Sequence, residues 1–172
     1  MKSLFGSSLM KTTADFPRDK LQYAHMSSLT PLAALQTDKR FSFCLYVPEE
    51  HYLPTPDASK LPLLVAVHGS SRQPTRSRAN FIPLADELGM AILAPLWPMG
   101  MSGSNEHSGY KRLDEGELRY DQLLCDILDE VGHRSPGIDT HRFFIAGFSG
   151  GGQFVQTFLY LHSHRIYAAS IR

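Results

Sequence analysis

The chain has 172 residues, 42% of them hydrophobic, enough for one compact domain with a buried core. Its 17 lysines and arginines balance 17 acidic residues, which removes the electrostatic case for a nucleic-acid or anionic-membrane partner. No run approaches the roughly 18 apolar residues of a membrane span, and the serine-broken start from Met1 to Lys11 makes a poor secretory signal.

Residues 1–38 show no sustained period and are expected to form a poorly structured segment ahead of a folded domain over 39–172. From Phe41 to Val47, Phe41, Phe43, Leu45 and Val47 alternate with Ser42, Cys44 and Tyr46, the mark of a strand with one buried face. The stretch Pro48–Pro62 carries four prolines and no period, so it reads as a surface connection. Lacking a helix, it is expected to join antiparallel strands. Leu63–Val67 is apolar without alternation, as suits a strand covered on both faces in a mainly parallel sheet. After a loop over Arg72–Ala79, Asn80 is the expected cap of a helix that gathers Phe81, Leu84, Ala85 and Leu88 on one face and stops at Gly89. Met90–Ala94 reads as a second buried strand.

Pro95–Gly109 is rich in Pro, Gly and Ser, and loops this long inside a compact domain are functional or disordered. Tyr120, Leu123, Leu124, Ile127, Leu128 and Val131 then follow helical spacing, with Asp121, Gln122, Asp126, Asp129 and Glu130 on the opposite face. Phe143–Ala146 runs as a strand into Gly147-Phe148-Ser149-Gly150-Gly151, and Phe154, Val155, Phe158, Leu159 and Leu161 continue as an apolar helix. Arg165–Arg172 opens one more strand. This alternation predicts the α/β class, a doubly wound, mostly parallel sheet with helices on both faces. Cys44 falls in a predicted strand and Cys125 in a predicted helix, so they read as buried thiols in a reducing, cytoplasmic setting rather than as a disulfide.

His68-Gly69-Ser70, the 95–109 loop and Ser149 all fall at carboxyl ends of strands, where such sheets carry their active groups. A strand, a tight turn and a helix around Gly-x-Ser-x-Gly is the geometry a nucleophilic serine needs. The turn lifts the Ser149 hydroxyl clear of the backbone, and the helix start behind it offers free N–H groups to a developing oxyanion. His162-x-His164 has no further ligands at zinc spacing, Gly150-Gly151-Gly152 lacks the lysine of a phosphate-binding loop, and no dinucleotide fingerprint occurs. No metal and no cofactor are therefore expected. Arg72, Arg76 and Arg78 read as a solvated basic loop.

Val67-His68-Gly69-Ser70 and Gly147-Phe148-Ser149-Gly150-Gly151, with the order of elements between them, resemble the α/β-hydrolase fold over roughly Phe41–Arg172. The resemblance is nearest to the carboxylesterase and polyester-depolymerase-like serine hydrolases. It implies Ser149 as nucleophile and the N–H groups of Gly150 and Ser70 as oxyanion donors, with Gly69 letting that loop approach. It also implies a small-molecule ester as substrate. His68, Trp97 and His107 are the candidates for lining the pocket, against ordinary packing for Trp97 and a solvated loop position for His107. His68 is the one residue whose placement would suit a base, although positioning the oxyanion loop is the role expected of it.

Members of that family carry the triad acid and then the histidine after the nucleophile. Here 23 residues follow Ser149 without Asp or Glu, and His162 and His164 stand about one helix length away, roughly 20 Å. The chain is expected to be the N-terminal portion of such a domain. Two functions compete. One is hydrolysis of ester or related acyl bonds through an acyl-enzyme at Ser149, incomplete in this chain; the other is a catalytically inactive remnant that binds a ligand or partner. In the second, the exposed last strand would template pairing with another chain, so self-association or poor solubility goes with it.

Overall fold

The computed structural model describes residues 32–51, 59–101 and 107–172. In chain order these form β1 (Ala33–Ala34), β2 (Ser42–Tyr46), β3 (Leu63–Val67), α1 (Pro74–Ala79), α2 (Ile82–Leu88), β4 (Ala91–Leu96), α3 (Gly109–Arg112), β5 (Asp114–Glu115), β6 (Leu118–Arg119), α4 (Tyr120–Arg134), β7 (Phe143–Gly147), α5 (Gly150–His162) and β8 (Ile166–Ile171). The main sheet has the order β1-β2-β4-β3-β7-β8. Strands β4, β3, β7 and β8 are parallel, and β1–β2 and β2–β4 pair antiparallel.

The site is positioned by a reversal in this order. From β3 the chain crosses through α1 and α2 to β4 on one side, then returns through α4 to β7 on the other side of β3. A reversal of that kind opens a crevice at the carboxyl ends of the strands involved. Val67 and Gly147 are register partners at the ends of β3 and β7, so the segments that follow them emerge side by side.

Continuity of apolar residues in β3 and β4 reflects burial on both faces. Leu63, Val65 and Val67 join the larger core with Leu124, Ile127, Leu128 and Val131 of α4 and Phe154, Val155 and Phe158 of α5. Leu64 and Ala66 face the opposite layer, with Ile92, Ala94 and Ala85 of α2. Each such aliphatic or aromatic side chain contributes about 1.5–3 kcal/mol on leaving water.

Several expectations change. The sheet begins at Ala33 and Leu35 is fully buried, so the folded region starts ahead of residue 39; residues 1–31 lie outside the described residues. In β2 the alternation marks two different cores rather than core and solvent. Phe43 and Leu45 face the α4–α5 layer while Cys44 and Tyr46 are buried in the other. The strand after Pro48–Pro62 does run opposite to β2, but β2 pairs with β4 and not with β3. The expected loop over Arg72–Ala79 contains α1, whose Pro74 stands in the first turn, where its missing N–H costs nothing. Asn80 ends α1 instead of starting α2, and Leu84 and Leu88 are exposed, leaving Ala85 as the buried residue of α2. The free thiols Cys44 and Cys125 are both buried. No helix among the described residues is long and apolar enough to cross a membrane.

Helix α4 buries the expected apolar stripe and also Asp121, which the spacing had put on the polar face. Its carboxylate accepts from Arg119 at 2.9 Å and meets His162 Nε2 at 3.0 Å, which ties α4 to the last turn of α5. Burial pushes this carboxyl up, but the bonds from Arg119 and His162 outweigh it and hold Asp121 below its ordinary value.

His68 fixes the ends of β3 and β4 together. It is 1% exposed. One ring nitrogen, Nδ1, lies 2.8 Å from the Gly69 carbonyl, and Nε2 accepts the Trp97 N–H at 2.9 Å. A carbonyl can only accept and an amide N–H can only donate, so the ring is the neutral tautomer protonated on Nδ1. Burial lowers its value from 6.5 to about 4, helped by the Arg72 charge and opposed by the bond to Gly69. Between pH 6.5 and 4 the unfolded chain takes up a proton that the folded chain does not. The stability His68 supplies is therefore complete above 6.5 and drains as pH falls towards 4, by about 3 kcal/mol in total. Urea midpoints at pH 7 and pH 4.5 should show that loss, and His68→Asn should be less stable at pH 7 with a flatter acid limb. Equal acid limbs in the two proteins would contradict the role assigned to this ring.

Candidate active site

Ser149 stands at the apex between β7 and α5, exposed, with φ 56° and ψ −119°. A non-glycine residue in this region costs on the order of 1–3 kcal/mol and persists only where its surroundings impose it. Here strand and helix fold back so tightly that a Cβ on Gly147 would overlap the Gly151 carbonyl, and one on Gly151 would overlap the Val67 carbonyl. Behind the turn, Phe154, Val155 and Phe158 anchor α5 in the core. The far end of β8 also grips the turn: the Ser149 N–H donates to the Arg172 carbonyl at 2.7 Å, and the Arg172 N–H to the Gly147 carbonyl at 3.1 Å.

Gly69 brings the loop after β3 against this apex. A Cβ there would lie 3.2 Å from the Phe148 carbonyl and 3.7 Å from Ser149 Cβ, so nothing bulkier than bare backbone fits easily. The amides bordering the serine divide into used and unused. Gly151 N–H donates to the Phe148 carbonyl at 3.0 Å, Gln153 N–H to the Ser149 carbonyl at 3.1 Å, and Arg72 N–H to the Gly69 carbonyl at 3.1 Å. Among the described residues the N–H groups of Gly150 and Ser70 have no backbone partner. Ser149 is thus exposed, with amides that have no backbone partner on the two segments beside it, and acyl transfer needs such donors near its nucleophile.

Other expected site residues take different places. Both nitrogens of His68 are committed to backbone groups, so it is a structural pin and not a base. Trp97 is fully buried, stacked on Phe154 at 5.5 Å and edge-on to Tyr120 at 5.6 Å, so its ring belongs to the core beneath the site and not to a pocket wall. His107 is exposed, with Nδ1 2.6 Å from the Met99 sulfur. Its backbone carbonyl accepts from Arg72 at 2.9 Å. His162 is engaged with Asp121 at the far end of α5.

Two residues that drew no catalytic reading from the sequence shape the site. Arg72, at φ 50°, bonds the carbonyls of Trp97 at 3.0 Å, Ser70 at 3.1 Å and His107, and so clamps the loop after β3 to the segment after β4. Tyr110 of α3 reaches behind Gly150, with Lys111 beside it. Within the Arg72–Ala79 stretch, Arg72 looked like one solvated charge among three, and Gly109-Tyr110-Lys111-Arg112 has no period to set it apart from the preceding loop.

A 590 Å³ groove opens on the α1 side of the same edge, with Arg76, Asn80, Phe81, Phe148 and Arg172 on its walls. Beyond Ile166, the residues of β8 are exposed.

No family model matches the chain. It is 30% identical over 105 residues to the bifunctional acetylxylan esterase/xylanase XynS20E of Neocallimastix patriciarum, a match that spans 60% of this chain and 14% of that protein. Among solved structures, LpqC, a poly(3-hydroxybutyrate) depolymerase from Bordetella parapertussis, superposes with TM-score 0.63 at 23% identity, covering 92% of this chain and 55% of its own. An S-formylglutathione hydrolase from Agrobacterium tumefaciens gives TM-score 0.59 at 19% identity over 76% of this chain and 51% of that one. The chain thus spans about half the length of these structures. Sheet order, strand-end crevice and serine elbow agree with these neighbours in one conclusion: the chain has the α/β-hydrolase fold.

Proposed function

We propose that the chain is the nucleophile-bearing part of a serine hydrolase that cleaves ester or related acyl bonds through an acyl-enzyme at Ser149. The observation that carries this reading is exposed Ser149, held at a left-handed φ at the strand–helix turn, with the amides of Gly150 and Ser70 lacking backbone partners. Ser149 Oγ would bond to the acyl carbon and give up its proton to a base. The carbonyl oxygen would take the negative charge against the two N–H groups. Collapse would then expel the alcohol, which leaves with a proton, and water would release the acid. The similarity to XynS20E, an acetylxylan esterase, and to LpqC, a poly(3-hydroxybutyrate) depolymerase, supports carboxylic esters as substrate class.

One observation favours a second reading, a binding protein without turnover. His68, the one histidine the sequence offered as a base, has both ring nitrogens bonded to backbone groups, and His162 is held by Asp121. A fluorophosphonate probe separates the two. Stoichiometric labelling of the full-length protein, abolished in Ser149→Ala, is the outcome expected for the hydrolase. A folded protein by circular dichroism that takes no label would support the binding reading instead.

Self-association goes with the binding reading. Strand β8 ends the sheet among the described residues, and its outer edge offers backbone groups to a second copy, with Tyr167 and Ile171 about half exposed beside it. Light scattering across a concentration series should report a dimer, and a monomer throughout would rule the pairing out.

A further inference from the structure

Tyr110 is 1% exposed, and its phenol oxygen is buried with no hydrogen-bond partner among the described residues. Buried tyrosine hydroxyls ordinarily find one. A side chain on Gly150 would strike that oxygen and would lie 3.0 Å from Ser70 Oγ. The two hydroxyls therefore share one small space beside the amide that follows Ser149. The surroundings hold the phenol there. The His68 ring is 5.4 Å from the Tyr110 ring, and the Arg72 guanidinium sits 5.4 Å from its centroid while bonded to the Ser70 carbonyl. Burial raises the phenol above its ordinary value, with the Ser70 hydroxyl and the Arg72 charge opposing, so Tyr110 keeps its proton and is a donor at neutral pH.

We propose that Tyr110 is a positioning residue whose O–H donates to Ser70 Oγ, turning the Ser70 hydroxyl towards the reacting oxygen as a third oxyanion donor. The inference rests on Ser149 being the nucleophile. A hydroxyl has one proton to give and lone pairs to receive another, so Ser70 can accept from Tyr110 and donate to the oxyanion at once. The bond from the phenol strengthens as charge develops on the oxygen that Ser70 faces. Its energy is then realised in the transition state and not in substrate binding.

Inactivation kinetics with a fluorophosphonate test this on the full-length protein. Ser149 Oγ forms the bond to phosphorus, fluoride leaves, the serine proton passes to solvent, and the phosphoryl oxygen occupies the oxyanion position. Ser70→Ala should slow kinact by about 100-fold and Tyr110→Phe by about tenfold, with KI unchanged in both and the Tm of Tyr110→Phe unchanged. The double variant should be no slower than Ser70→Ala alone, because the phenol acts through that hydroxyl. A Tyr110→Phe protein that reacts at the wild-type rate overturns the proposal while leaving the nucleophile intact, as does a double variant whose defects multiply. A wild type that takes no label, or a Ser149→Ala variant that labels equally, overturns the nucleophile and this inference with it.

Discussion

The site depends on the closeness with which two backbones pass each other at the end of β7. With no side chain on Gly147 or Gly151, strand and helix fold together until the Val67 and Gly151 carbonyls fill the space a methyl group would need. The residue between them has no relaxed conformation left, and Ser149 takes up the strain at φ 56°. That strain is what exposes its hydroxyl, and the burial of α5 against the sheet is what sustains it. The polar group of the site is thus held out by an apolar core that it never touches.

The second half of the site is held by polar bonds rather than by close packing. The Trp97 peptide is clipped at both ends, its N–H to His68 and its carbonyl to Arg72, and the two clips belong to the loop that carries Ser70. A histidine that is neutral, dry and doubly bonded cannot also shuttle protons. The residue nearest in kind to a base is therefore the one that makes the loop rigid. On the proposed function, the elbow would supply the nucleophile and the clipped loop an amide, while His68 keeps that loop in place.

Much of this was legible in the sequence. The continuous apolar runs of β3 and β4 and the 3.6-residue stripe of α4 emerge where the pattern put them, because burial on two faces or one leaves a direct trace in residue type. The turn at Ser149 was legible because only glycine meets its steric demands. What stayed hidden depends on contacts between distant segments. Pro74–Ala79 is short and largely polar, and it becomes helical by lying against β2 and β4, which no local period reveals. For Trp97, just past a strand end, the sequence left pocket wall and ordinary packing equally open, and its ring turns inward onto Phe154. Asp121 fitted the polar face of α4 until His162, 41 positions later, was seen to reach it. Tyr110 had no signal, since its meaning lies in an oxygen left unbonded beside Gly150.

The central claim is that Ser149 Oγ and two amides from separate loops converge on one reacting atom. A crystal structure of the full-length protein after treatment with a fluorophosphonate measures this directly. The account predicts phosphorus bonded to Ser149 Oγ, with its oxygen within hydrogen-bond distance of the N–H groups of both Gly150 and Ser70. An adduct on another residue, or an oxygen turned away from those amides into solvent, would contradict it.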